Sequence, residues 1–87
     1  MAEKVVKIKD EAGVHARPAA KLSHLAASFD NKIELTYQNR TIDLKSIMGI
    51  MSLGIPQHAE ITLHVQGDDA EEVLAKLMEG MASLELV

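Results

Sequence analysis

The sequence predicts an α+β domain of two layers, three helices on one face of a four-stranded, mainly antiparallel sheet. Three observations predict it. Four short segments alternate apolar and polar residues with the period of a half-buried strand. Three others repeat apolar residues at helical spacing. They interleave as βαββαβα over 87 residues, with no repeat, linker or low-complexity run, which makes residues 1–87 one domain.

The first strand covers roughly residues 3–9, where Val6 and Ile8 alternate with Val5, Lys7 and Lys9. Asp10 to Gly13 connects it to a helix whose buried stripe is Ala19, Leu22, Ala26 and Phe29, with Lys21 and Ser28 outward; Asp30-Asn31 breaks that helix. Ile33, Leu35 and Tyr37 alternate with Glu34 and Thr36 in a second strand, and Thr41 to Leu44 gives a short third. The turn between them includes Asn39, which tolerates left-handed backbone better than most residues.

Ser46 is a good N-cap for a short helix over roughly 47–53, which Gly54 and Pro56 terminate. At about 100° per residue, Ile50 and Leu53 share one side of it, and Ile47, Met48 and Met51 share the other. A domain this small cannot bury both sides. The methionine side is expected to be an exposed, adaptable partner surface. Ile61, Leu63 and Val65 form the fourth strand. Asp69-Ala70-Glu71-Glu72 reads as a capping box, and the last helix buries Val73, Leu74, Leu77, Met78 and Met81. Gly80 costs that helix about 1 kcal/mol relative to alanine, for no reason visible in the sequence.

The chemistry concentrates in Gly13-Val14-His15-Ala16-Arg17-Pro18. Proline fits the first turn of a helix, so His15 is expected at or just before a helix N-terminus, with Gly13 allowing the chain to turn into it. Such a terminus has N–H groups without helical partners and a partial positive charge. An imidazole there is pushed toward its neutral, nucleophilic form. A phosphoryl group on it would meet the backbone donors of Ala16 and Arg17 and the Arg17 guanidinium. The residues alone therefore suggest a histidine that can be phosphorylated.

Composition removes other classes. With no cysteine there is neither a disulfide framework nor thiol chemistry, and the four histidines lack ligand spacing, so no metal is expected. His24, His58 and His64 read as surface residues, and Lys21 and Lys45 as steering or plainly solvated charges. Residues 1–45 carry eight Lys/Arg and six Asp/Glu, net +2; residues 46–87 carry one and seven, net −6. With Phe29 and Tyr37 the only aromatics, this argues against direct nucleic-acid binding. No apolar segment suggests a signal or a membrane insertion, so a cytoplasmic location is expected.

Gly13 to Ala19 resembles the active-site signature of the histidine-containing phosphocarrier (HPr) family of the bacterial phosphoenolpyruvate:sugar phosphotransferase system. Leu44-Lys45-Ser46-Ile47-Met48-Gly49-Ile50-Met51-Ser52-Leu53-Gly54 resembles the regulatory signature of its low-GC Gram-positive form, and the likeness covers essentially the whole chain. The resemblance implies the HPr-like open-faced β-sandwich with strand order 1-4-2-3. It implies that His15 accepts a phosphoryl group at Nδ1 from Enzyme I, charged by phosphoenolpyruvate, and relays it to IIA domains of sugar permeases. Arg17 would stabilise the phosphate. Ser46 would be phosphorylated by an ATP-dependent HPr kinase/phosphorylase, and that form would act in carbon catabolite repression as corepressor of a LacI-type catabolite control repressor. Ile47, Met48 and Met51 would dock partners. A carrier of this kind is no enzyme in its own right and needs no cofactor.

Ala12 stands where the family usually has a small polar residue, and Asn39 and His58 where glycines are frequent. Two other readings stand beside the carrier. One is a mainly regulatory Crh-like paralogue, a type that has lost the histidine present here and that can exchange its first strand between protomers. The other is a non-catalytic protein-interaction module with an inert His15.

Overall fold

The alternating segments form strands β1 (Ala2–Lys7), β2 (Ile33–Tyr37), β3 (Arg40–Asp43) and β4 (Glu60–Val65), and the helical ones form α1 (Ala16–Ala27), α2 (Ile47–Ser52) and α3 (Ala70–Ser83). The computed structural model describes residues 1–14 and 16–87. The strands make one antiparallel sheet in the order β1-β4-β2-β3. Both the element order and the strand order agree with the expected open-faced sandwich.

Period-2 alternation decides the two faces of the sheet. Val6, Ile33, Leu35, Ile61, Leu63 and Val65 point inward and join Leu22 of α1, Ile50 of α2 and Leu77 and Met81 of α3 in one core. Burial of each such side chain contributes about 1.5–3 kcal/mol. Phe29 and Met78, expected in the core, are half-buried at its margin. Phe29 lies beyond the end of α1, where the helical stripe no longer sets its direction.

Polar side chains knit the outer face. His64 Nδ1 lies 2.6 Å from Glu3 Oε2 and Nε2 2.9 Å from Thr36 Oγ1, which is 2.7 Å from Thr41 Oγ1. The expected surface histidine is thus a bridge, and the chain of contacts runs from β1 across β4 and β2 to β3.

Local chemistry adjusts several boundaries. Regular β1 stops at Lys7, and Ile8 instead exchanges hydrogen bonds with the loop before β4, its N–H to Ala59 O and its O from His58 N–H. β3 runs 40–43, and Leu53 is the C-cap of α2. The β2–β3 turn places both Gln38 and Asn39 in left-handed backbone, as a two-residue hairpin loop requires. The capping box at α3 does not form. Asp69 precedes the helix but makes no side-chain cap; its Oδ1 accepts from Asn31 Nδ2 at 2.7 Å instead.

Gly80 has a packing cause. A Cβ there would lie 2.5 Å from Leu25 Cδ2 and 2.9 Å from Cδ1, so Gly80 makes room for Leu25 where α1 meets α3.

The loop leading to α1 is clamped from two sides. Lys9 N–H donates to Leu86 O at 2.7 Å, and Leu86 is fully buried. Ala12 N–H donates to Asp10 Oδ1 and Gly13 N–H to Asp10 O, both at 2.9 Å. Val14 N–H then donates to Ile55 O at 2.8 Å. Gly13 has φ +68°, and a Cβ on it would overlap the Ile55 carbonyl oxygen and sit 2.8 Å from Pro56 Cα. Only glycine fits both the dihedral and the space.

Two stability measurements test these contacts. Gly13→Ala is expected to cost at least about 2 kcal/mol in urea unfolding, since left-handed strain adds to backbone overlap; a loss below about 0.5 kcal/mol would contradict the clamp. Gly80→Ala is expected to destabilise the native chain by about 1 kcal/mol, yet to stabilise a Leu25→Ala background by a similar amount, because only helix propensity then remains. Purely additive effects in that double-mutant cycle would refute the packing explanation.

Candidate functional site

α1 begins at Ala16, next in sequence to His15, which lies outside the described residues. The site is therefore built from what surrounds that position. Ala16 and Arg17 occupy the first turn of α1, where N–H groups have no partner within the helix, and no acidic side chain stands in that turn. Pro18, in the same turn, is buried and fixes the chain's entry. The sequence placed this proline correctly, in the one part of a helix that tolerates it.

Arg17 is exposed and shares a small cleft with Asp10, Pro18, Lys21 and Leu84. Arg17, Lys21 and His24 fall at i, i+4 and i+7 on α1, and all are exposed. They form a stripe leading away from the first turn, in which Arg17 and Lys21 carry positive charge.

On the other side of the loop, a cleft of about 430 Å³ is lined by Ala12, Val14, Met51, Gly54, Ile55 and Pro56. This cleft brings α2 to the loop. The two faces of α2 divide as helical geometry requires: Ile50 and Leu53 are buried, while Ile47, Met48 and Met51 are 43%, 79% and 44% exposed. These are three of the five exposed large apolar side chains among the described residues, and they share one short helix. Grouped exposure of this kind marks a contact surface more strongly than scattered apolar residues do.

Ser46 caps α2. Its backbone is extended (φ −101°, ψ 112°), and its Oγ accepts from Gly49 N–H at 3.0 Å. Its carbonyl accepts from Ile50 N–H at 3.1 Å, and the residue is half-buried. The hydroxyl thus keeps a fixed position and has acceptor capacity to spare.

Lys45 is a correction. It is no freely solvated steering charge, because its Nζ donates to Phe29 O at 2.7 Å, just past the C-terminal end of α1. A cation there complements the helix dipole. Sequence reasoning also gave no weight to Ile55 and Leu86, which hold the loop; both need partners far away in the chain. Among the described residues no cluster of His, Cys, Asp and Glu could hold a metal ion, and no helix is long and apolar enough to cross a membrane.

The arrangement is a loop held at both ends, a cationic helix start, a capped serine and an exposed apolar patch. Comparison with known proteins agrees with it. Residues 2–83 match the family model described as the PTS HPr component phosphorylation site. A histidine-containing phosphocarrier protein from a mycoplasma is 32% identical, with a TM-score of 0.92 over 99% of this chain and 98% of that one. The phosphocarrier protein HPr of Bacillus anthracis str. Ames is 39% identical, with a TM-score of 0.83 over 91% of this chain and 94% of that one. Crh of Bacillus subtilis, a catabolite repression protein solved as a dimer with a swapped domain, is 35% identical, with a TM-score of 0.72 over 95% of each chain. With the fold, the strand order and the family model in agreement, the chain belongs to the HPr family of phosphotransferase-system phosphocarriers.

Proposed function

We propose that this chain is the phosphoryl relay of a phosphotransferase system, with His15 as acceptor and donor. In this reading, Enzyme I charged by phosphoenolpyruvate places the phosphoryl group on Nδ1 of His15, and IIA domains of sugar permeases remove it. The observation that carries the reading is the family match across residues 2–83, which includes the intact Gly13 to Ala19 motif.

The surroundings support it. The first turn of α1 offers the Ala16 and Arg17 N–H groups and the Arg17 guanidinium to an anion. Because Arg17 is exposed, such a phosphate would stay accessible and would not be held so tightly that onward transfer stalls. Among the described residues, open clefts lie beside the loop. A carrier that borrows its partners' catalytic groups needs no more. It works in the cytoplasm, where Enzyme I and the IIA domains meet it.

Partners dock over Ile47, Met48 and Met51 and along the Arg17–Lys21–His24 stripe, so their complementary surfaces combine an apolar centre with acidic groups. Ser46, beside that patch, is the regulatory site, modified by an HPr kinase/phosphorylase with ATP. A phosphate there adds about −1.5 to −2 charge where the surface is otherwise apolar. The change in field weakens docking of acidic partners and creates a surface that a LacI-type catabolite control repressor reads. The Crh likeness favours a second reading, a mainly regulatory protein working through Ser46; the presence of His15 weighs for the carrier.

Intact-mass measurement after incubation with Enzyme I and phosphoenolpyruvate is expected to show one phosphate, lost in mild acid and absent from His15→Ala. No gain in mass, together with an acid-stable phosphate from ATP and the kinase that vanishes in Ser46→Ala, would install the regulatory reading instead. Met48→Ala is expected to change stability by less than about 0.5 kcal/mol while lowering the rate constant for phosphoryl transfer from Enzyme I by about tenfold, because this side chain packs on little in the free protein. Unchanged transfer kinetics in that variant would remove Met48 from the docking surface.

A further inference from the structure

Ser23 is the one buried polar side chain among the described residues, and its hydrogen bond does not stay within its own helix. A mid-helix serine commonly bonds back to a carbonyl one turn earlier. Ser23 Oγ instead donates to the carbonyl of Lys45, 22 positions away, at 2.7 Å. Lys45 immediately precedes Ser46. Two further bonds converge on it: its N–H donates to Asp43 Oδ1 at 2.9 Å, and its ammonium donates to Phe29 O at 2.7 Å.

The peptide unit joining Lys45 to Ser46 is planar and rigid. Its carbonyl is held by Ser23, and its N–H donates to Asp43 O at 3.0 Å. Both polar groups of that unit are fixed, so the direction in which the Ser46 Cα leaves it is fixed as well. The Ser46 hydroxyl then sits where Gly49 N–H occupies one of its lone pairs, which leaves the second lone pair and the proton available.

We infer that Ser23 is a positioning residue for phosphoryl transfer to Ser46, acting through the Lys45 carbonyl; this rests on the reading of Ser46 as the regulatory site. In that transfer the Ser46 Oγ–P bond forms as the bond from the γ-phosphorus to the bridging oxygen of ATP breaks. ADP leaves with the electron pair, and the hydroxyl proton passes to a base on the kinase. Without the Ser23 hydroxyl the Lys45–Ser46 unit rocks, and Oγ spends less time aligned for attack. Alignment lost in this way lowers kcat and leaves KM in place, since the docking patch on α2 is untouched.

The test compares native protein, Ser23→Ala and Ser23→Thr as substrates of an HPr kinase/phosphorylase with ATP. Folding is checked by circular dichroism, and exchange of the Gly49 amide is followed by NMR. Ser23→Ala is expected to lower kcat by about three- to tenfold, the range that loss of one neutral hydrogen bond supports, with KM unchanged. The Gly49 amide is expected to exchange faster, Ser23→Thr to restore both readouts, and acceptance from Enzyme I at His15 to stay at the native level. A folded Ser23→Ala with native kcat overturns the inference, and so does an equal loss at His15, which would indicate general loosening. If Ser23→Ala does not fold, Ser23→Cys takes its place, since a thiol is a similar shape and a weak donor. If the native protein accepts no phosphate at Ser46, the regulatory reading fails in that control and the inference falls with it.

Discussion

The hydrogen bond from Val14 N–H to the Ile55 carbonyl joins the loop before α1 to the segment after α2, and much else in the structure is arranged to keep it. Gly13 accepts left-handed backbone so that the chain can approach residues 55 and 56 closely. Asp10 ties the preceding turn with its carbonyl and its carboxylate, and Leu86 anchors the start of the loop from the far end of the chain. Beneath it, Ile55 is buried in the same core as Ile8 and Leu53. In the proposed reading, the loop that carries the phosphoryl acceptor is fixed from behind, through its backbone. The loop up to Val14 is thus tied through its backbone, while Arg17 beyond it is exposed.

The same division between fixed interior and open exterior governs α2. Six residues are too few for a helix to persist by propensity, so burial of Ile50 and the Ser46 cap sustain it. Its other side is then free to present apolar surface. Methionine suits such a position because it is unbranched and polarizable, and it adapts to differently shaped partners. The charges complement this arrangement: the exposed Arg17 and Lys21 of α1 follow the loop before it, while the acidic surplus lies in the second half of the chain.

Readings that depended on local rules were legible in the sequence. The two faces of α2 followed from the angle between successive side chains, and the Ser46 cap, the Pro18 placement and the Asn39 turn from backbone chemistry. Sheet order was legible only through resemblance, because alternation alone does not choose neighbours. What escaped local reading was contact between distant residues. Gly80 makes sense only with Leu25 in place 55 positions earlier. Asp69 is a favoured cap residue by type, yet its carboxylate accepts from Asn31 instead. Lys45 and His64 looked solvated because nothing near them in sequence announces Phe29 O, Glu3 or Thr36 as a partner. His15, the centre of the sequence argument, lies outside the described residues, so its role rests on its motif and on the family.

The location of the exposed patch has a consequence for traffic. A specific interface covers about 800 Å² on each partner, which is about a sixth of the 4986 Å² of accessible surface here. The patch on α2 meets the loop before α1 at the cleft lined by Val14, Met51, Gly54 and Ile55, while the outer face of the sheet carries the Glu3–His64–Thr36–Thr41 chain of contacts. Two partners that both need this end of the molecule exclude each other. In the proposed relay each would leave before the next arrives, so dissociation would set a ceiling on throughput. In that reading the chain is a token passed through a queue, and whatever holds it longest slows every other exchange.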